Sequence, residues 1–191
     1  MPSYPGDPEP ELLQTAFAAK DGYNDFRVKT GMHVGTHMDA PLHMLKNGKR
    51  LSEYLPEYFF RACTLIDARS KKIDASLLKS ATVEKGSAVL VMTGWYETFG
   101  TSKYFESYPE VTRSFAEKII SLGVKIIGTD TPSPDRAPFS VHKLLLGNDV
   151  LIIENLTNLN ALPKDAQFDL VALPAKFDTE AAPARVVAVL A

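Results

Sequence analysis

A chain of 191 residues with 45% hydrophobic and 23% charged side chains can bury a sizeable core and has an ordinary globular composition. Its net charge of -2 gives no electrostatic reason to expect nucleic acid or an anionic membrane as partner. A single cysteine, Cys63, excludes an intramolecular disulfide and a cysteine-built zinc finger, and no run approaches the roughly 18 consecutive apolar residues of a membrane span.

Residues 1–10 are proline-rich and should lie extended on a surface, since proline supports neither a helix interior nor a central strand. They lack a basic and apolar leader, so a cytoplasmic protein is expected. Residues 26–30 alternate apolar and polar side chains and read as a strand feeding a histidine-rich segment. Residues 61–67, 88–92 and 124–127 are short β-rich runs, and Cys63 within the first reads as a small core residue. Two helices fall between strands: 74–80 with Asp74 as N-cap, and 112–122 stopped by Gly123. Residues 150–153 and 184–190 are the last strands. Strands alternating with helices indicate a mixed α/β domain, and no linker or repeat divides residues 1–191.

All four histidines lie in two segments that also carry acids. In the first, His33, His37, Asp39 and His43 are separated by four, two and four residues and so share one parity. On a straight strand His33 and His37 would be roughly 13 Å apart, too far to share an ion. The chain must therefore bend between them, and Gly35 is where a bend costs least; Pro41 likewise ends strand pairing before His43. A solvated polar loop is the bland alternative, which three histidines and an aspartate within eleven residues make a poor account.

The second segment holds Asp130, Asp135, His142 and Glu154. Asp130 and Asp135, among threonine, proline and serine after a buried strand, read most simply as turn formers. Glu154 says more, because a carboxylate closing an apolar run is costly to bury without a cation or donors.

These residues resemble the signature of the cyclase-family metal-dependent hydrolases, a group that includes bacterial kynurenine formamidases and isatin hydrolases. The resemblance rests on His33, Gly35, Thr36, His37, Asp39, Pro41 and His43. It continues through Tyr4 to Asp7, Val91 to Trp95, Gly128 to Asp135, His142, Glu154 to Asn158, Leu173 with Pro174, and Pro183 to Arg185. Related sequences usually carry a further N-terminal strand ahead of the point where this chain starts, and alanine stands here where glycine often precedes Pro183.

The resemblance implies a swivelling β/β/α-type single domain with a mixed sheet over residues 1–191, assembled as a homodimer or homotetramer. It implies one or two zinc or manganese ions per subunit. His33, His37 and Asp39 match the ligands of the first; Asp39 would bridge to a second held by His142 and Glu154. His43 matches the catalytic histidine, taking a proton from metal-activated water and returning it to the leaving amine. Asp130 is a candidate for orienting a ligand histidine, and Tyr4, Phe17, Tyr23 and Trp95 are candidates for substrate contact.

The implied activity is hydrolysis of a C–N amide bond in a small molecule, an arylformamide such as N-formylkynurenine first. A cyclic amide of the isatin type is the enzymatic rival and a metal-stabilised binding protein the non-enzymatic one. A closed structural site has little use for a free histidine beside the ion, so His43 favours an enzyme.

Overall fold

The structure, a computed structural model, describes residues 1–162 and 167–190. Its strands are β1 (Glu11–Ala16), β2 (Asp25–Lys29), β3 (His37–Asp39), β4 (Phe60–Asp67), β5 (Ala88–Met92), β6 (Ile126–Thr129), β7 (Leu151–Glu154), β8 (Gln167–Pro174) and β9 (Ala181–Val189). Its α-helices are α1 (Ala18–Asp21), α2 (Arg113–Ser121) and α3 (Ser140–Gly147), joined by several single-turn 3₁₀ segments. None of these helices is long and apolar enough to cross a membrane.

β4, β5, β6 and β7 run parallel, while β8, β9 and β3 add antiparallel pairs, and the sheet closes as a barrel in the order β3-β7-β6-β5-β4-β8-β9. The near-continuous apolar runs of β5, β6 and β7 are explained by burial on both faces. Strand parity divides them. Leu90, Met92, Ile126, Leu151 and Ile153 join Met38, Phe168 and Leu170 in the barrel interior. Val89, Val91, Ile127 and Ile152 pack outward beneath Phe115 and Ile119 of α2 and Val141 and Leu145 of α3. Cys63 sits in the interior at 2% exposure, and burial pushes its thiol up to about 12, which leaves it no nucleophilic role at neutral pH.

The mixed α/β architecture is the one the pattern predicts, with differences in detail. α2 begins where Thr112 accepts the Phe115 N–H and ends at Gly123, whose φ of 74° is left-handed. The predicted 74–80 helix is a single 3₁₀ turn, Ala75–Leu78, capped by Asp74 through the Ser76 N–H. The strand expected at 124–127 is displaced to Ile126–Thr129, because the chain first pairs Lys125 N with Ser87 O before joining the sheet. β1, β8 and α3 were not foreseen. β1 and β2 form a hairpin apart from the barrel, with Leu12, Phe26 and Val28 exposed.

One close approach positions a site residue. The Pro41–His43 turn packs on Gly48, where a Cβ would lie 2.3 Å from the Pro41 carbonyl carbon and 2.4 Å from Leu42 N. Both are backbone atoms, so neither can swing aside. Gly48→Ala should therefore destabilise the protein by about 1–3 kcal/mol, as overpacking does, and displace His43. Thermal unfolding measures the first effect. Retention of bound metal with reduced turnover would report the second, and unchanged stability and turnover would show that this turn is free to move.

Candidate metal centre

β3 is only three residues long, yet it is hydrogen-bonded on both edges, to β7 and to β9. Met38 points into the barrel, so its neighbours His37 and Asp39 project from the outer face. His37 lies opposite Glu154 in the register with β7, which puts those two side chains on one face. Gly35 bends the chain as expected, at φ 71°, and its carbonyl accepts a hydrogen bond from His37 Nδ1 at 2.7 Å. That bond turns His37 Nε2 toward the acids. Upstream of the bend His33 returns to the site, and downstream the Pro41–His43 turn brings in His43.

Asp39 is the hub. Its Oδ1 lies 3.1 Å from His33 Nδ1 and 3.5 Å from His37 Nε2, while Oδ2 lies 3.8 Å from His142 Nε2. Glu154 spans the same gap, 3.2 Å from His37 Nε2 and 3.1 Å from His142 Nε2. One ligand atom from each of His33, His37 and Asp39 falls within a 4.8 Å cluster, and Asp39, His43 and His142 form a second such cluster. Asp39 thus faces two neighbouring positions with different oxygens.

The donors fit a divalent metal. Among the described residues, the buried side-chain atoms without a hydrogen-bond partner are His37 Nε2, Asp39 Oδ1, Asp39 Oδ2 and Ser87 Oγ. Three of these four meet in this cluster. The contacts at Asp39 have the distances of ion pairs without the angles of hydrogen bonds, and unpartnered buried groups of this kind need a cation. Imidazole and carboxylate are the ligands that zinc and manganese accept.

The charge states follow from the geometry. Burial works to raise Asp39, but His37 and His33 outweigh it and hold the carboxyl below its ordinary range. Glu154 is likewise lowered, burial and Asp39 being outweighed by His142 and His37. Burial works to lower His37, yet the Asp39 and Glu154 carboxylates raise it to about 9. His142 is raised against burial to about 10 by Asp135 and Glu154. His43 goes the other way. Burial lowers it, the positive His33 and His142 add to that, and the Asp39 charge does not compensate. The shift favours its neutral imidazole.

Some assignments from sequence are redrawn. Asp130 does not orient a histidine: its carboxylate accepts from Thr93 N–H, Thr93 Oγ1 at 2.6 Å and Gly94 N–H at 2.7 Å, tying the end of β6 to the loop after β5. The orienting acid is Asp135, which accepts from His142 Nδ1 at 2.6 Å and from the Val141 N–H at 2.7 Å, so it also caps the start of α3. His33 Nε2 has a partner of its own, Glu180 at 3.4 Å. Only the Ser-Pro-Asp135 turn ahead of His142 hinted at the first; nothing local marked Glu180.

Beside the cluster is a cavity of about 220 Å³ lined by His33, His43, His142, Glu154, Phe139 and Tyr4, with Asp7, Met44, Pro132 and Ser133 completing its wall. Of the aromatic candidates, Tyr4 lines it and is held there by Tyr108 through their hydroxyls at 3.3 Å. Phe17 and Tyr23 lie exposed in the hairpin connection, and Trp95 is turned away, its Nε1 donating to Tyr104 O. Phe139 was missed. Its φ of 58° is unusual for a bulky residue, and it sets the ring edge-on to His142 at 5.7 Å. A larger cavity of about 780 Å³ abuts Gly35 and Thr36, but among the described residues Arg185 is the one charged side chain lining it, and none of His33, His37, Asp39, His142 or Glu154 does.

Because His37 and His142 are raised to about 9 and about 10, both carry protons near neutral pH that a metal must displace. Calorimetric zinc titration in buffers of different ionisation enthalpy should show proton release, and affinity should rise with pH until those values are passed. Affinity independent of pH would remove these histidines as ligands.

The family model described as "Putative cyclase" matches residues 1–136. A kynurenine formamidase of Bordetella avium is 32% identical over 195 residues, covering 97% of this chain and 90% of that protein. The solved structure of a potential metal-dependent hydrolase with cyclase activity superposes with a TM-score of 0.82 at 27% identity, over 98% of this chain and 90% of that one. An isatin hydrolase bound to the product analogue thioisatinate shares the fold, with a TM-score of 0.84 at 22% identity over 96% of this chain and 82% of its own. With that match over residues 1–136 and the shared fold, the chain belongs to the cyclase family of metal-dependent hydrolases.

Proposed function

We propose that this protein hydrolyses the C–N bond of a small amide, with an arylformamide such as N-formylkynurenine as substrate. The observation that carries this reading is a neutral histidine, His43, set beside a buried His/Asp cluster at the wall of an aromatic-lined cavity. The kynurenine formamidase relative at 32% identity supports the choice of substrate and a place in tryptophan catabolism. Residues 1–191 would act as one catalytic unit in the cytoplasm.

His33, His37 and Asp39 would hold one zinc or manganese ion, and Asp39, His142 and Glu154 a second. Such an ion supplies an acidified water and an electrophile for the carbonyl oxygen. Asp135 and the Gly35 carbonyl keep His142 and His37 in the orientation that directs Nε2 inward. His43, neutral near pH 7, takes the proton from the attacking water and delivers it to the departing nitrogen. Phe139, Tyr4, Met44 and Pro132 offer an apolar wall to an aryl group and limit water around the reacting carbonyl. The products are formate and the free aryl amine.

Purified protein, stripped by a chelator and reloaded with zinc or manganese, should hydrolyse N-formylkynurenine only when loaded. His43→Ala should lower turnover by about 10²–10⁴-fold while bound metal stays unchanged. Loss of metal in that variant would make His43 a ligand instead of a catalyst. Stoichiometric metal without formamide turnover, accompanied by opening of isatin, would replace the substrate class with cyclic amides.

We also propose that the chain forms a homodimer or homotetramer. The β1–β2 hairpin supports this, since an isolated two-stranded ribbon is marginal in water and this one exposes Leu12, Phe26 and Val28 at 72%, 56% and 65%. Light scattering on purified protein should give a multiple of the 21.0 kDa chain mass, and Phe26→Asp should shift it toward monomer. A monomeric wild-type protein would refute the proposal.

A further inference from the structure

We propose that Glu180 is a positioning residue for His33, holding the ring so that Nδ1 faces Asp39 and the metal position. The inference rests on the metal-centre reading above. His33 Nε2 lies 3.4 Å from Glu180 Oε1, and its Nδ1 lies 3.1 Å from Asp39 Oδ1. The ring is thus spanned between two acids, one buried at the centre of the cluster and one half-buried at its edge.

The same arrangement recurs at the other two histidines of the ligand set. His37 has Nδ1 on the Gly35 carbonyl and Nε2 toward Asp39 and Glu154; His142 has Nδ1 on Asp135 and Nε2 toward the same acids. At His37 and His142 one nitrogen is hydrogen-bonded to an oxygen outside the cluster and the other is aimed inward; at His33 the outer contact is the ion-pair distance to Glu180. An outer acceptor of this kind fixes ring orientation and raises ligand basicity. Glu180 completes the set. Without it, His33 would be the one ligand histidine with no outer partner among the described residues. His33 is also the most exposed of the three, with its side chain at 23% against 0% for His37 and 3% for His142. It precedes the Gly35 bend and is not fixed by a strand, so it depends most on such a contact.

The backbone that presents Glu180 is well anchored. β9 starts one residue later and pairs Ala181 with Asp39, and the Glu180 carbonyl accepts the Ala40 N–H at 2.8 Å. Just upstream, Thr179 O accepts the Leu51 N–H at 3.1 Å, and Asp178 accepts from Ser52 Oγ at 2.8 Å. The carboxylate therefore reaches His33 from the strand that closes the barrel beside β3.

The test is zinc affinity of the apo full-length protein, measured by competition with a chromophoric chelator. The variants are Glu180→Ala, Glu180→Gln and, as a control in the same turn, Asp178→Asn. Glu180→Ala should weaken zinc binding by about 10–100-fold. Glu180→Gln, which keeps an acceptor oxygen but not the charge, should recover part of that loss, and Asp178→Asn should bind as wild type. Wild-type affinity in Glu180→Ala would overturn the proposal. So would equal losses in all three variants, which would place the effect in the turn and not in the carboxylate. A wild-type protein that takes up neither zinc nor manganese would refute the metal-centre reading itself, and this proposal with it.

Discussion

The structure is organised around one buried carboxylate. Asp39 has 0% exposure and, among the described residues, no hydrogen-bond partner for either oxygen, and Glu154, a second acid, is buried next to it. Two acids at this depth would repel each other and lose their hydration, costing several kcal/mol per ion. What offsets that cost is positive charge on the surrounding rings, which is why His37 and His142 are held protonated and both acids ionised. A divalent cation would do the same with one compact charge. The geometry of the centre follows this electrostatic demand: His33, His37 and His142 all have a ring nitrogen within 4 Å of Asp39.

Holding such a cluster requires a stiff support, and β3 supplies it. A three-residue strand would have no stability alone, but this one is the closing strand of the barrel and is paired on both edges. Its middle residue, Met38, has 0% exposure and is packed in the interior, so a shift in register by one residue would turn Met38 outward and bury His37 and Asp39 in an apolar barrel. The core and the His37/Asp39 pair therefore enforce the same register. Glu154 benefits equally, since its strand is fixed by β6 on one side and β3 on the other.

Much of this could be read in the sequence because it depends on local spacing. Shared parity with a hinge glycine identified the histidine segment, and the bend at Gly35 is where chain stiffness required it. An acid closing an apolar run identified Glu154. The rest depends on contacts between distant segments. Asp135 and Asp130 sit in one turn with similar neighbours, and only the path of the chain into α3 decides which of them meets His142 and which meets Thr93. Glu180 reaches His33 across 147 positions of sequence, by subtraction of their numbers, through the pairing of β9 with β3. Phe139 owes its place to a left-handed backbone that no propensity predicts for phenylalanine. The hairpin was half legible: the alternation at 26–30 marked β2, while β1, next to a proline-rich stretch, did not stand out.

The divergence of His43 from its neighbours is the last consequence of the same arrangement. Its ring lies 4.2 Å from that of His33 and 5.8 Å from that of His142, so it shares their surroundings. It differs in its acids. His33 has Glu180 and Asp39, His37 has Asp39 and Glu154, and His142 has Asp135 and Glu154, all within 4 Å. Burial lowers His43, and the His33 and His142 rings add to it against the through-space pull of Asp39 and Glu154, so the neutral ring is favoured. A base must be neutral to accept a proton, whereas His37 and His142 each have the outer ring nitrogen fixed by an oxygen, the Gly35 carbonyl and the Asp135 carboxylate. The acid-paired rings of His33, His37 and His142 come from the segment before the Gly35 bend, from β3 and from α3. His43 stands on a separate turn, held by backbone packing against Gly48.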